Sequence, residues 1–254
     1  MTGALDTIAA GGAGLARIGA RLARTGATAA VLAVRAGRLG RSTHPSQAQA
    51  RAGVLQDGCR AVLRHHRIEV EQDGATPPGA VLLACNHVSW LDPIVVAAFM
   101  PCAPISKLEV RGWPVVGPLA RRLGVIFHDR RSVHSGWRVL REAEQALLGR
   151  VALLNFPEGT TTAGVGVLRF RKGVFGLAKR LGVPVVPVAV RYAPAGLAWT
   201  GDDAFVPHYL RLAARGQSRA RLRFGDPVRA DRHATAAGLA EAVRQQVAML
   251  LEVA

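Results

Sequence analysis

The chain has 254 residues, room for one large domain or two small ones. Hydrophobic residues make up 50 % and charged residues 20 %, which excludes a generally disordered chain. Glycine and proline are spread without a period, which excludes collagen-like and low-complexity classes. Lys+Arg is 33 against Asp+Glu 17, a net charge of +16 that fits nucleic acid, an anionic membrane or an acidic protein as partner. Nucleic acid is disfavoured, because aromatics are only 5 % and no basic–aromatic motif is present. Cys59, Cys85 and Cys102 form no C-x-x-C pair and read as reduced thiols of a cytoplasmic-facing protein.

Taken in chain order, the N-terminal segment 1–45 stands apart from 46–254. It carries Arg17, Arg21, Arg24, Arg35 and Arg38 on one helical stripe, and Leu15, Ile18, Leu22, Val31, Leu32, Val34 and Leu39 are read as the other face. No stretch is long enough to span a membrane. The pattern predicts an amphipathic helix lying in a membrane interface, arginines toward lipid headgroups, although Gly19, Gly26 and Gly37 lower its helix propensity. A polar turn containing Pro45 follows.

Beyond it, helices are predicted over Ala48 to His66, Ile94 to Met100, Trp137 to Leu148, Gly173 to Leu181 and Leu239 to Leu251. Strands are predicted over Arg67 to Gln72, Val81 to Cys85, Val125 to Phe127, Val151 to Phe156, Val185 to Arg191 and Ala220 to Phe224. Alternating strands and helices predict an α/β fold: a mixed sheet covered by helices.

Four segments carry chemistry. Asn86-His87 is followed by Asp92-Pro93. Positions i and i+5 of one helix diverge by about 140°, so His87 and Asp92 can meet only across a loop that enters a helix. There Asp92 would hold the imidazole and His87 would take a proton from a hydroxyl. Asp-Pro is equally a good helix-capping pair. Phe127-His128-Asp129-Arg130-Arg131 ends a strand in a fork-shaped anion ligand or an exposed charged loop. Phe156-Pro157-Glu158-Gly159-Thr160-Thr161 runs a strand into a turn of hydroxyls, and Val183-Pro184-Val185-Val186-Pro187-Val188 reads as an edge or irregular strand.

In this order, N-H-x4-D, G-x-x-F-x-D-R, F-P-E-G-T and V-P-V-V-P-V resemble the glycerolipid acyltransferase family, in particular its bacterial 1-acyl-glycerol-3-phosphate members. The resemblance covers Val81 to Tyr192. It implies transfer of a fatty acyl group from a thioester, acyl-CoA or acyl carrier protein, to a lysolipid hydroxyl without a cofactor or metal. The implied place of action is the cytoplasmic face of the cell membrane, against an anionic surface and without nucleic acid. By motif, His87 and Asp92 are the implied catalytic pair, and Asn86, Lys107, Arg130, Glu158, Gly159 and Thr160 the implied substrate-binding set. The implied acceptor is lysophosphatidic acid, giving phosphatidic acid. Thr161 stands where F-P-E-G-T-R-S has Arg, which opens lyso-ornithine lipid as the alternative acceptor. Arg169, Arg171 and Lys172 follow closely and could supply the missing cation. No G-x-S-x-G elbow exists, so a serine acyl-enzyme is not expected.

Overall fold

The computed structural model describes residues 2–39, 44–129, 131–193, 196–200 and 203–252. Within them the expected α/β architecture is present. The strands are β1 (Ile68–Asp73), β2 (Leu82–Cys85), β3 (Cys102–Lys107), β4 (Ile126–His128), β5 (Ala152–Asn155), β6 (Val185–Ala193) and β7 (Ser218–Phe224). The helices are α1 (Thr2–Arg38), α2 (Pro45–His66), α3 (Asp92–Phe99), α4 (Val116–Arg122), α5 (Val133–Leu148), α6 (Gly173–Leu181), α7 (Phe205–Ala214) and α8 (Ala236–Glu252).

One sheet runs in the order β1-β7-β6-β2-β5-β3-β4. Every neighbouring pair is parallel except β6 with β7. Both faces are covered, which is why the central strands are apolar at every position rather than alternating. Leu83, Cys85, Leu154, Val186 and Val188 point to one face, where α2, α3 and α7 pack through Leu63, Val95 and Leu212. Leu82, Ala84, Leu153 and Val185 point to the other, against Val139, Phe175 and Val243 of α5, α6 and α8. The carboxyl ends of β2 and β5 therefore open side by side, and the motif residues leave the sheet there.

Three expectations change. The proline-containing β6 is an interior strand, flanked by β7 and β2. Proline is tolerated because β7 ends at Phe224; just beyond it Gly225 N–H still donates to Pro187 O, and only the return bond is missing. Asp92 does not cap its own helix: the position before α3 is Leu91, and the Asp92 carboxylate turns back into the preceding loop.

The third change concerns α1. It is one continuous helix despite its glycines, but its arginines do not all point outward. Arg21 is 4 % exposed, and its guanidinium donates to the carbonyls of Leu212, Ala213, Arg215 and Gly216 at the end of α7. Arg17 donates to Ala214 O, and Arg35 pairs with Asp57 of α2. A helix end leaves its last carbonyls without intrahelical donors, and a cation there also meets the negative end of the helix dipole. Leu32 and Ala36 are buried beside these contacts, while Leu15, Leu22, Val31 and Val34 face outward. The helix docks through arginine and presents apolar residues.

His66 closes this junction. It is 1 % exposed, edge-on to Tyr209 of α7. Burial, with the Arg21 charge nearby, lowers its pKa to about 4. His66 is thus neutral when folded but takes up a proton in the unfolded chain below the usual 6.5. Its contribution is complete above 6.5 and lost as pH falls toward 4, a change of about 3 kcal/mol by linkage. Urea denaturation at a series of pH values should show that loss in the native chain and a flatter dependence in His66→Gln; parallel curves would exclude His66 as the source.

Candidate active site

The loop that leaves β2 is fixed on every side. Asn86 is buried, its amide donating to Val190 O and its carbonyl accepting from Val190 N–H, so it occupies a backbone partner's place on β6. His87 N–H donates to Glu158 Oε1 at 2.7 Å, and His87 O accepts from Thr162 N–H at 2.8 Å. Trp199 N–H donates to Val88 O, and the His87 ring stacks on Phe156 with centroids 4.2 Å apart.

Inside this loop lies the dyad anticipated from the sequence. Asp92 is fully buried, and its Oδ2 accepts from Val88 N–H, Ser89 N–H and His87 Nδ1 at 2.7, 2.8 and 2.7 Å. Its Oδ1 accepts from the Tyr192 hydroxyl at 2.7 Å. Four donors compensate the carboxylate for the water it has lost, as a buried charge requires. With Nδ1–H held by Asp92, the neutral imidazole presents the lone pair of Nε2. The His87 side chain is 16 % exposed and lines a cavity of about 570 Å³. The arrangement suits abstraction of a proton from a hydroxyl brought to Nε2.

The cavity straddles the strand ends. Leu55, Val62 and Ile94 wall it on the α2–α3 side, and Ile105, Val139 and Leu140 on the α5 side. Its polar lining includes Lys107, Thr160, Thr161 and Arg171, and no Asp or Glu lines it among the described residues. Lys107 Nζ lies 4.5 Å from the centroid of the Trp199 ring, a cation–π contact that positions the ammonium.

The implied substrate-binding residues fall into three groups. Lys107, Gly159 and Thr160 line the cavity. Asn86 and Glu158 do not line it: both are buried, with side-chain hydrogen bonds to the backbone of Val190 and of His87. Glu158 accepts from His87 N–H and Leu168 N–H, tying the F-P-E-G-T turn to the catalytic loop. Burial raises its pKa, and the two N–H donors oppose that rise. Arg130 lies outside the described residues. Gly159 has φ +76°, and a Cβ there would meet Arg171 Nε at 2.6 Å, so glycine lets the guanidinium cross the turn beside Thr160.

The sequence reading missed Tyr192. It follows Val186, Val188 and Val190 at period two, which puts it on the α3 side of β6. Burial and the Asp92 charge push its pKa up, so it remains a hydroxyl donor.

The fold thus sets a His–Asp pair at the strand ends, facing a largely apolar cavity. The acyltransferase family profile matches residues 67–191. The lyso-ornithine lipid O-acyltransferase of Pseudomonas aeruginosa is 37 % identical over 165 residues, covering 63 % of this chain and 64 % of that protein. The lyso-ornithine lipid O-acyltransferase of Rhizobium meliloti is 30 % identical over 204 residues, covering 73 % and 68 %. The 1-acyl-sn-glycerol-3-phosphate acyltransferase of Neisseria gonorrhoeae is 35 % identical over 125 residues, covering 49 % of each chain. In fold, the chain matches the crystal structure of the 1-acyl-sn-glycerophosphate acyltransferase PlsC from Thermotoga maritima with a TM-score of 0.67, over 88 % of this chain and 86 % of that one, at 23 % identity. The chain belongs to the acyltransferase family.

His87→Ala should lower acyl transfer by ~10²- to 10⁴-fold with the fold intact, the usual contribution of a positioned general base; near-normal turnover would exclude this dyad. In Tyr192→Phe the carboxylate keeps more negative charge toward His87 and favours the imidazolium. The acid limb of the pH–rate profile should then move to higher pH, with kcat/KM down by about one order of magnitude. A rate loss with an unmoved limb would make Tyr192 a packing residue only.

Proposed function

We propose that this enzyme acylates the free hydroxyl of a lysolipid from an acyl thioester, and that lyso-ornithine lipid is its acceptor. The hydroxyl sits at His87 Nε2, which takes its proton as the oxygen attacks the thioester carbonyl. Collapse of the tetrahedral intermediate breaks the C–S bond, and the departing thiolate recovers the proton from His87. Asp92, held by Tyr192 and two loop N–H groups, keeps the imidazole turned to the acceptor throughout.

One observation carries the acceptor: Thr161 lines the cavity where a third cation would complete a phosphomonoester site. A carboxylate headgroup carries one negative charge and a phosphomonoester nearly two, and Arg171 and Lys107, cations that line the cavity among the described residues, match the smaller charge. The relatives acting on lyso-ornithine lipid also align over more of this chain than the glycerol-phosphate one does. A second reading, lysophosphatidic acid, is favoured by the absence of any lining carboxylate among the described residues to receive an ornithine ammonium. Purified enzyme offered both lysolipids with one acyl donor should acylate lyso-ornithine lipid preferentially, by mass spectrometry of products. Thr161→Arg should shift the preference toward lysophosphatidic acid by about tenfold or more, the strength of one charge-assisted hydrogen bond. Preferred acylation of lysophosphatidic acid by the native enzyme would overturn the acceptor and leave the transferase.

The outward face of α1, with Leu15, Leu22, Val31 and Val34 among alanines and glycines, supports seating in a membrane interface. No helix of the described residues is long and apolar enough to cross a membrane. Co-sedimentation with anionic vesicles should weaken in Leu15→Asp/Leu22→Asp and at high salt. Undiminished binding of that variant would place the contact elsewhere.

A further inference from the structure

A second concavity, of about 440 Å³, runs along the β4 edge between the start of α2, the α4 segment and α5. Arg51, Arg111, Arg121 and Arg138 line it, with Glu142 as its one carboxylate among the described residues. Arg138 lies 3.6 Å from Glu142 and donates to Phe127 O, so that pair is internally balanced. Arg111 and Arg121 form no ion pair among the described residues, although the surface elsewhere pairs arginines freely with Asp and Glu. Burial lowers the Arg51 pKa, a cation drawn partly out of water.

The backbone brings these groups together at a cost. Arg111 lies in a 3₁₀ turn, Leu108–Gly112, and α4 follows through Val115, a β-branched residue at φ +63°. At Gly117 a Cβ would stand 2.1 Å from Arg111 O, so only glycine lets α4 lie against that turn. The groove also adjoins the active site. Val125 lines both cavities, and Val110 and Ala120, each one residue from a groove arginine, line the catalytic one.

We propose that this groove binds the phosphates of the thioester donor's carrier, a nucleoside bisphosphate, while the acyl end reaches His87. The inference rests on the thioester-transfer reading. Planar guanidinium groups facing one concavity suit phosphate oxygens, and the groove meets the cavity that holds His87 at Val125. The same phosphate chemistry could come from a lipid headgroup, so the test separates the two.

The native chain and Arg111→Gln/Arg121→Gln are compared, with Arg141→Gln/Arg232→Gln as a charge-matched control outside both cavities. Three readings are taken: titration calorimetry with adenosine 3′,5′-bisphosphate, KM for acyl-CoA against S-acyl-pantetheine of the same chain, and co-sedimentation with phosphatidylglycerol vesicles. The expected result is bisphosphate binding lost in the double variant and kept in the control. The KM ratio should move against acyl-CoA by ~100-fold, about tenfold for each guanidinium. Equal KM for the two donors in the native enzyme, or no bisphosphate binding, would overturn the proposal. Vesicle binding lost at an unchanged KM ratio would also overturn it and give the groove to lipid. Calorimetry needs no turnover, so failure to acylate any lysolipid would reject the proposed function and still leave the groove readable.

Discussion

A single buried carboxylate organises this enzyme. Asp92 has exchanged water for four donors: two successive loop amides, the imidazole that precedes them and a phenol on β6. An ionised carboxylate without such donors would cost several kcal/mol in this interior. The donors are therefore a condition of folding as much as of catalysis. The loop must curl around Asp92, and in curling it aims Nε2 of His87 into the cavity. Geometry that a catalyst needs is thus enforced by the cost of leaving a charge unsatisfied.

The sheet supplies the rest. Parallel strands end together, so β2 and β5 deliver His87 and the F-P-E-G-T turn to one rim. Glu158 bridges them as a clamp between two backbones. Asn86 performs the same office toward β6. Behind the reacting groups stands a shell of polar residues spent on backbone amides, which leaves the cavity wall itself largely apolar. That division suits a substrate with one reactive hydroxyl and long hydrocarbon chains.

Much of this was legible in the residues. The alternation of apolar runs and amphipathic stretches marked most strands and helices, and the loop between His87 and Asp92 followed from helix geometry alone. What stayed hidden depended on partners distant in the chain. β3 opens Cys-Ala-Pro with no alternation, and α7 starts without a capping side chain, so neither carries a local signal. Pro184 and Pro187 marked irregularity but not that β7 ends beside Pro187. The arginine stripe of α1 had a period, but a period does not say which face meets protein. Glu158 and Asn86 stood out by motif, while their inward orientation follows from Leu168 and Val190, which no spacing rule connects to them. Tyr192 could have been found, since the period-two run from Val186 places it on the side of α3.

The anchoring of α1 on α7 also has a consequence for synthesis. Arg21 is translated 191 to 195 residues before three of the carbonyls it caps, Leu212, Ala213 and Gly216. Helix α1 therefore has no partner for its buried cation until the end of α7 has been made. Contacts of such separation close late and slow folding. During that interval α1 is a free amphipathic segment with basic and apolar residues both on display, the state in which a lipid surface competes best for it. The joining of α1 to α7 thus falls among the last steps of folding, after the sheet between them has formed.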